Sequence, residues 1–440
     1  MIIDIFIIIV TLVLIFSIEG KKFPFASIVF IVMYIIYIYT GTIMMNYDIN
    51  IEKNFIFEQL QFIVRGGFFS MLLAYFLSVF LLRRKSLIGK ENNLLSNSKK
   101  YSFYFISIIV ILISSIYIFL IPSNPLLTMI TNPSNLAYIR ESATATLGNF
   151  GFFNNFISFF LPMVWLIFLF MNKKVYLYIF LLNLILLMST GQKSPIVYLL
   201  FLLFMAISLK NRNFSYSKSF LVLLLIMISL LIIVILQNWH LLNGISLETF
   251  ELAWNGLKRR IFYGGVLPIS QYLEFFPTYM EHYYLNYPPI PPDQLVYTYA
   301  YPETGIKGTV NTISLGNFYA AFGNKYIVFL LFFLLSFSIF IMDKILFNKM
   351  KDPFWFTIYT VYLLLTIKLV ITDWYSIVPQ FFILTLSFIG AIYLIEAFLY
   401  KFASNKNRFI VYAENKYFVF LSIAIFAYFF QGQIRGLLHG

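Results

Sequence analysis

The chain has 440 residues, of which 61% are hydrophobic, 11% are charged and none is cysteine, and its formal net charge is +13. Soluble domains usually carry about a quarter charged residues, so this composition excludes an ordinary water-soluble fold. The lack of cysteine excludes disulfides and thiolate chemistry. The positive charge could suit nucleic acid, but its distribution has a simpler explanation in membrane topology, so no nucleic-acid partner is expected.

Twelve nearly charge-free stretches follow one another along the chain. A bilayer core needs about 20 apolar residues per helix, and helices satisfy their backbone polar groups internally. The pattern predicts an all-α integral membrane protein of about twelve transmembrane helices, a single polytopic domain over residues 1–440. The first stretch lacks a basic start and a small-residue cleavage site, so it is interpreted as a spanning helix and not as a signal peptide. The predicted spans are 2–17, 23–45, 62–82, 102–121, 150–171, 175–190, 195–209, 219–237, 326–347, 354–372, 377–400 and 417–430.

Basic residues are concentrated in alternate loops. Most of the 31 Lys and Arg lie in every second loop, including the group Lys344, Lys349 and Lys351. The positive-inside rule places these loops in the cytoplasm and both termini outside. Two predicted outer segments are long, 122–149 and 238–325. The second is rich in Tyr and Pro, contains a short helix predicted at 311–322 on the membrane face, and is the expected functional region, since long irregular loops are usually functional.

A smaller set of basic residues lies at the predicted outer face, where such residues are unexpected. The set comprises Arg65, Arg140, Lys193, Arg259, Arg260 and Lys368. All but Lys368 are predicted to form an anion site for a lipid-linked pyrophosphate, because guanidinium groups grip phosphate oxygens in pairs and Lys adds point charge. Snorkelling is the alternative for Arg65, pairing with Asp373 for Lys368, and a solvated surface for the Arg259 and Arg260 pair.

Three segments resemble features of bacterial oligosaccharide repeat-unit polymerases of the Wzy type and of the related O-antigen ligases. The first is the turn LMSTGQKSPI at 187–196, in which Lys193 stands where the family usually has Arg. The second is the spacing of Arg140 and Gly151, which are separated by ten residues. The third is the segment 308–323, which ends in Phe322 and Gly323 before a late span. Together with the predicted spans and the large loop, the resemblance covers nearly the whole chain.

The resemblance implies an enzyme that polymerises undecaprenyl-pyrophosphate-linked repeat units into O-antigen, capsule or exopolysaccharide. Such enzymes resemble lipid-dependent, metal-independent glycosyltransferases that act at the outer face of the bacterial cytoplasmic membrane. The expected partners are the lipid-linked donor and acceptor, membrane lipids and a chain-length regulator; no cofactor is expected. The alternatives are an O-antigen ligase, which transfers to a lipid A core, and a lipid-linked-glycan flippase or transporter.

Inverting glycosyl transfer needs cations at the leaving pyrophosphate and a general base at the acceptor hydroxyl. The predicted bases lie in the second long loop: Glu274, Glu281 and His282, with His240 and Asp293 as further candidates. Tyr283, Tyr284 and Trp254 are predicted either to stack on sugar rings or to anchor the loop at the interface. With three His and no Cys in the chain, a metal site is not expected.

Overall fold

The computed structural model describes residues 2–19, 26–45, 55–82, 97–120, 155–190, 194–211, 263–284, 288–302, 312–350, 352–371 and 374–403, with isolated positions at 125, 139, 251, 254–256, 286 and 310. This part of the chain is all-α. Its helices are α1 (Ile2–Glu19), α2 (Ala26–Met45), α3 (Phe55–Leu81), α4 (Asn97–Leu120), α5 (Phe156–Phe170), α6 (Val175–Ser189), α7 (Ser194–Asn211), α8 (Val266–Phe275), α9 (Pro292–Ala300), α10 (Ser314–Phe322), α11 (Lys325–Lys349), α12 (Pro353–Ile371) and α13 (Trp374–Ala403).

Five of these helices, namely α2, α3, α11, α12 and α13, are long and apolar enough to cross a membrane. Five shorter apolar helices, α1 and α4 to α7, fall on further predicted spans. The predicted spans 219–237 and 417–430 lie outside the described residues. Large apolar side chains are exposed on the bundle surface, such as Phe80 at 85% and Leu73 at 63%. Apolar exposure of this extent suits lipid contact, which makes a multi-pass membrane protein the physically reasonable state.

The interior of the bundle is formed by helices that are buried on all sides. Every residue from Leu161 to Phe170 in α5 is buried, and most of α12 is buried as well. The pair α3 and α11 packs closely because Gly66 has no side chain: a Cβ there would lie 2.1 Å from the ring of Phe329. Small residues at a helix interface allow this approach of the two backbones.

One end of the bundle gathers the starts of α1 and α3, the end of α2 and the short helices α8 to α10; we call it the loop end. Asp4 from α1, Tyr39 from α2 and Arg65 from α3 meet there. Leu315 of α10 lies against Gly67 of α3 at the same end. Helices α1, α2 and α3 therefore alternate in direction.

The opposite end holds a buried polar cluster that joins four helices. Asp343 of α11 accepts hydrogen bonds from Ser27 of α2 and Tyr359 of α12. The neighbouring Lys344 donates to the carbonyl oxygen of Ser78 in α3. The expectation that Lys344 belongs to a cytoplasmic loop is therefore wrong: it lies inside α11 and is 2% exposed. Burial is tolerated because its ammonium group has a carbonyl partner.

The helix predicted at 311–322 forms as α10, and its neighbours in the protein cover it. It begins at Ser314, and every residue from Ser314 to Ala321 is buried in the protein. It packs between α8, α11 and α3. A Cβ on Gly316 would lie 2.5 Å from the hydroxyl oxygen of Thr312, so this glycine leaves room for the segment that leads into the helix.

Candidate functional site

Two helices of the long loop, α8 and α9, present polar side chains at the loop end. Helix α8 starts directly after Gly265, where a Cβ would lie 2.4 Å from the ring of Tyr37 in α2, so only glycine lets α8 approach the bundle this closely. Its buried residues are Val266, Ile269, Tyr272, Leu273 and Phe275. This apolar stripe has helical spacing and packs against α10 and α3. Gln271 and Glu274 lie outside the stripe, with Glu274 exposed.

Glu274 is held by a tyrosine from the second helix. The hydroxyl of Tyr299 in α9 donates to Oε1 of Glu274 at 3.0 Å, and the Tyr299 ring lies 4.2 Å from that of Tyr279. Hydrogen bonding with Tyr279, followed by burial and the nearby carboxylate, raises the pKa of Tyr299 above the ordinary value for tyrosine. Its hydroxyl therefore stays protonated and donates. Within the described part of the chain, Oε2 of Glu274 has no hydrogen-bond partner and can accept a proton from a ligand hydroxyl.

His282 is packed at the end of α10. Its Nδ1 lies 3.2 Å from the carbonyl oxygen of Ala320, and its ring contacts Phe276 and the edge of Tyr319. Donation from Nδ1 leaves Nε2 as the acceptor nitrogen. A Cβ on Gly323 would lie 2.4 Å from Nε2, so the imidazole rests directly on this glycine. The structure thus gives the Phe–Gly pair noted in the sequence a packing role.

Glu281, the third predicted base, is exposed and has no hydrogen bond to the described residues. Ring contacts connect the neighbourhoods of the other two predicted bases. Tyr299 packs on Phe275, Phe275 on Phe276, and Phe276 on His282. Glu274 and His282 thus lie at the two ends of one aromatic cluster and do not contact each other directly. Of the three residues, Glu274 combines exposure with a fixed orientation.

The three predicted sugar-stacking residues also differ in exposure. Tyr284 is 62% exposed and Trp254 is 45% exposed, so both rings are accessible. Tyr283 is half-buried, with its hydroxyl 3.4 Å from the carbonyl oxygen of Asn317 in α10. Its ring packs on Phe276, and a role in holding the loop together suits it better than ligand contact.

Arg65 is the predicted pyrophosphate ligand that the structure describes. Its Nε and Nη2 donate to the two carboxylate oxygens of Asp4, each at 3.1 Å, and Tyr39 also donates to that carboxylate at 2.9 Å. The Arg65 side chain is 46% exposed and lines a small pocket with Thr42 and Gln61. The carboxylate of Asp4 occupies one edge of the guanidinium group, and with respect to the described residues the other edge is open to a further anion.

The remaining predicted pyrophosphate ligands, Arg140, Lys193, Arg259 and Arg260, lie outside the described residues, as does Asp373. Lys368 is described: its ammonium nitrogen lies 5.3 Å from the centre of the Tyr198 ring, a cation–π contact between α12 and α7.

Sequence reasoning missed the buried cluster around Asp343. An adjacent acidic and basic pair near the end of an apolar span was the signal that could have revealed it, because ionisable groups in a membrane helix are costly unless they are paired. Every oxygen of this carboxylate has a described donor. The cluster is therefore suited to joining helices, whereas the carboxylate of Glu274 is open to solvent.

The described helices define a polytopic helical protein with an exposed tyrosine and carboxylate site at one end. Comparison of the chain with protein-family models, curated proteins and solved structures finds no match. The resemblance to repeat-unit polymerases therefore rests on the sequence motifs alone.

Proposed function

We propose that the chain is a membrane glycosyltransferase that joins undecaprenyl-pyrophosphate-linked repeat units into a bacterial surface polysaccharide. It would act at the outer face of the cytoplasmic membrane, within a bundle of about twelve spans similar to that of other lipid-dependent glycosyltransferases. The observation that carries the proposal is the exposed Glu274 carboxylate, oriented by Tyr299 in the long loop. The polymerase-like motifs and the basic residues of the predicted outer face supply the rest of the argument.

In the proposed reaction, Glu274 is the general base. Its Oε2 takes the proton of an acceptor hydroxyl as that oxygen bonds to the anomeric carbon of the donor sugar. The bond from this carbon to the undecaprenyl pyrophosphate oxygen breaks with its electron pair, and the pyrophosphate leaves as an anion. Attack from the face opposite the leaving group inverts the anomeric configuration.

Cations near the leaving group lower the cost of the charge that develops on it. Arg140, Lys193, Arg259 and Arg260 are the proposed set, with Arg guanidinium groups gripping pyrophosphate oxygens in pairs. Arg65 joins the set through the edge of its guanidinium group that Asp4 leaves open. A chain-length regulator and membrane lipids are the proposed partners.

The role of Arg65 is separable from that of its ion pair. If Arg65 contacts pyrophosphate, Arg65→Ala reduces polymerisation while Asp4→Asn, which removes the competing charge, does not. If the pair only fastens α1 to α3, both variants reduce the amount of folded protein together. The polymerising activity is therefore divided by the amount of folded protein, which is measured from the size-exclusion profile. This ratio distinguishes a role in pyrophosphate binding from a role in folding.

A deletion strain of the host complemented with variants tests the proposed base. The wild-type gene is expected to restore long polymer, and Glu274→Gln is expected to leave single repeat units on the lipid, since general-base catalysis contributes about 10²- to 10⁴-fold. Glu251→Gln, at another exposed carboxylate of the loop, is the control and retains long polymer. Long polymer from Glu274→Gln contradicts the assignment of the base. Polymer that is made but not attached in the deletion strain points to the ligase alternative.

A further inference from the structure

Beside Glu274, the paired helices α8 and α9 carry a surface of ordered tyrosines. Nε2 of Gln271 donates to the hydroxyl of Tyr301 at 3.3 Å, as Tyr299 does to Glu274. We call Gln271, Glu274, Tyr279, Tyr299 and Tyr301 the tyrosine face. The Gln271–Tyr301 and Glu274–Tyr299 hydrogen bonds each join a polar side chain of α8 to a tyrosine at the end of α9, so both ends of the face are oriented.

The rings of this face are rigidly supported yet accessible. Buried Phe275 packs beneath two of them, with ring centres 6.0 Å from Tyr279 and 5.5 Å from Tyr299. Tyr279 is 59% exposed and Tyr301 is 39% exposed. Aromatic rings held this firmly lose little conformational entropy when a ligand binds, which is the property that preorganised binding surfaces use.

The chemistry of the face selects among ligands. The negative faces of aromatic rings attract the weakly positive C–H groups that line one side of a sugar ring. The carboxylate of Glu274 and the amide of Gln271 can accept from and donate to neighbouring sugar hydroxyls. Among the described residues, no Lys or Arg belongs to the face, and its carboxylate repels phosphate and anionic lipid headgroups. An aromatic belt at an anionic membrane surface would favour the opposite charge.

We infer that the tyrosine face binds a neutral oligosaccharide and forms the acceptor subsite of the proposed polymerase. The assignment of the face as the acceptor subsite rests on the proposed function. The binding of the oligosaccharide does not depend on catalysis. Tyr279 supplies the stacking ring and Tyr301 extends the face along α9. Since Glu274 belongs to the same face, a sugar seated on Tyr279 brings its hydroxyls to the open Oε2.

Saturation-transfer NMR on the full-length protein in neutral-lipid nanodiscs tests the binding. The probe is the lipid-free repeat-unit oligosaccharide released from the polysaccharide of the host. Tyr279→Ala and Tyr301→Ala are each expected to weaken binding by about tenfold, the loss of one aromatic contact. Tyr279→Phe keeps the ring and retains binding. Tyr326→Ala is the control, since this tyrosine is 76% exposed at the start of α11 and lies outside the face.

The inference is overturned if both alanine variants bind the oligosaccharide as the wild type does, or if the wild type does not bind it. It is also overturned if vesicles of anionic lipid, but not the sugar, protect Tyr279 from chemical modification. Loss of binding in Tyr279→Ala together with long polymer from Glu274→Gln would keep the sugar site and reject the proposed base. The two proposals can thus fail separately.

Discussion

The buried carboxylate of Asp343 is expected to stabilise the packing of α2, α11 and α12 strongly. Its Oδ2 accepts from the backbone N–H of Ser27 at 3.1 Å and from the Ser27 hydroxyl, and its Oδ1 accepts from Tyr359 at 2.8 Å. Asp343 is fully buried, so water does not replace a lost partner. Asp343→Ala removes the acceptor of these three hydrogen bonds.

The size of the effect follows from the number of donors. An unsatisfied buried donor costs about 1–3 kcal/mol in soluble proteins, but hydrogen bonds in membrane proteins contribute less, about 0.6 kcal/mol on average and about 1.7 kcal/mol at most. Three donors therefore predict a loss of about 2–5 kcal/mol in unfolding free energy for Asp343→Ala. Tyr359→Phe removes one donor and leaves Ser27 in place, so it is expected to cost about 0.5–1.5 kcal/mol.

Unfolding of the purified protein in mixed micelles by increasing SDS, followed by circular dichroism, measures these differences. Ser336→Ala is the matched control on the same helix: its hydroxyl is buried and makes no hydrogen bond within the described part of the chain. Its unfolding free energy is expected to stay within about 0.5 kcal/mol of the wild type. If Asp343→Ala unfolds at the same SDS fraction as Ser336→Ala, the cluster does not fasten the helices and the reasoning is refuted.

Two glycine substitutions test close packing at the loop end, with unfolding again as the measurement. Gly323→Ala is expected to destabilise by about 1–2 kcal/mol, since φ is +65° and the new methyl meets His282; Gly256→Ala, in open space, is the control and should stay close to the wild type. Gly66→Ala is expected to cost about 1–3 kcal/mol because it displaces Phe329. If that clash is the cause, adding Gly66→Ala to Phe329→Ala costs nothing further, and an undiminished cost would contradict it.

Helix positions in this protein could be predicted because long apolar runs determine them. The span predicted at 175–190 is α6 at Val175–Ser189, and that predicted at 326–347 is α11 at Lys325–Lys349. The burial of α10 could not be predicted. Every residue from Ser314 to Ala321 is buried, and these include the polar residues Ser314 and Asn317. Which neighbours cover a short helix depends on the tertiary fold of the whole loop.

The geometry of the candidate site could not be predicted either, because it also depends on the tertiary fold. Sequence reasoning selected Glu274 as one of several loop carboxylates, without a means of ranking them by geometry. Its partner Tyr299 is 25 residues further along the chain and belongs to α9, a helix that was not predicted from the sequence. The pairing of Glu274 with Tyr299 can be recognised only in the folded loop. Asp343 was missed for a different reason, since one charge hardly changes the mean hydropathy of a long apolar span.

Exposure and hydrogen-bond satisfaction separate the two groups of polar residues in this bundle. At the end opposite the loop, Asp343 and Lys344 are buried with described partners, so their interaction energy stabilises the native packing. At the loop end, one oxygen of Glu274 and one edge of the Arg65 guanidinium group have no partner among the described residues, so part of their bonding capacity is left for a ligand. A buried, satisfied charge cannot bind substrate without breaking the fold, whereas these two can. A charged residue in a membrane helix thus indicates an important position. An unused hydrogen-bond acceptor or donor indicates a position that is available to a substrate.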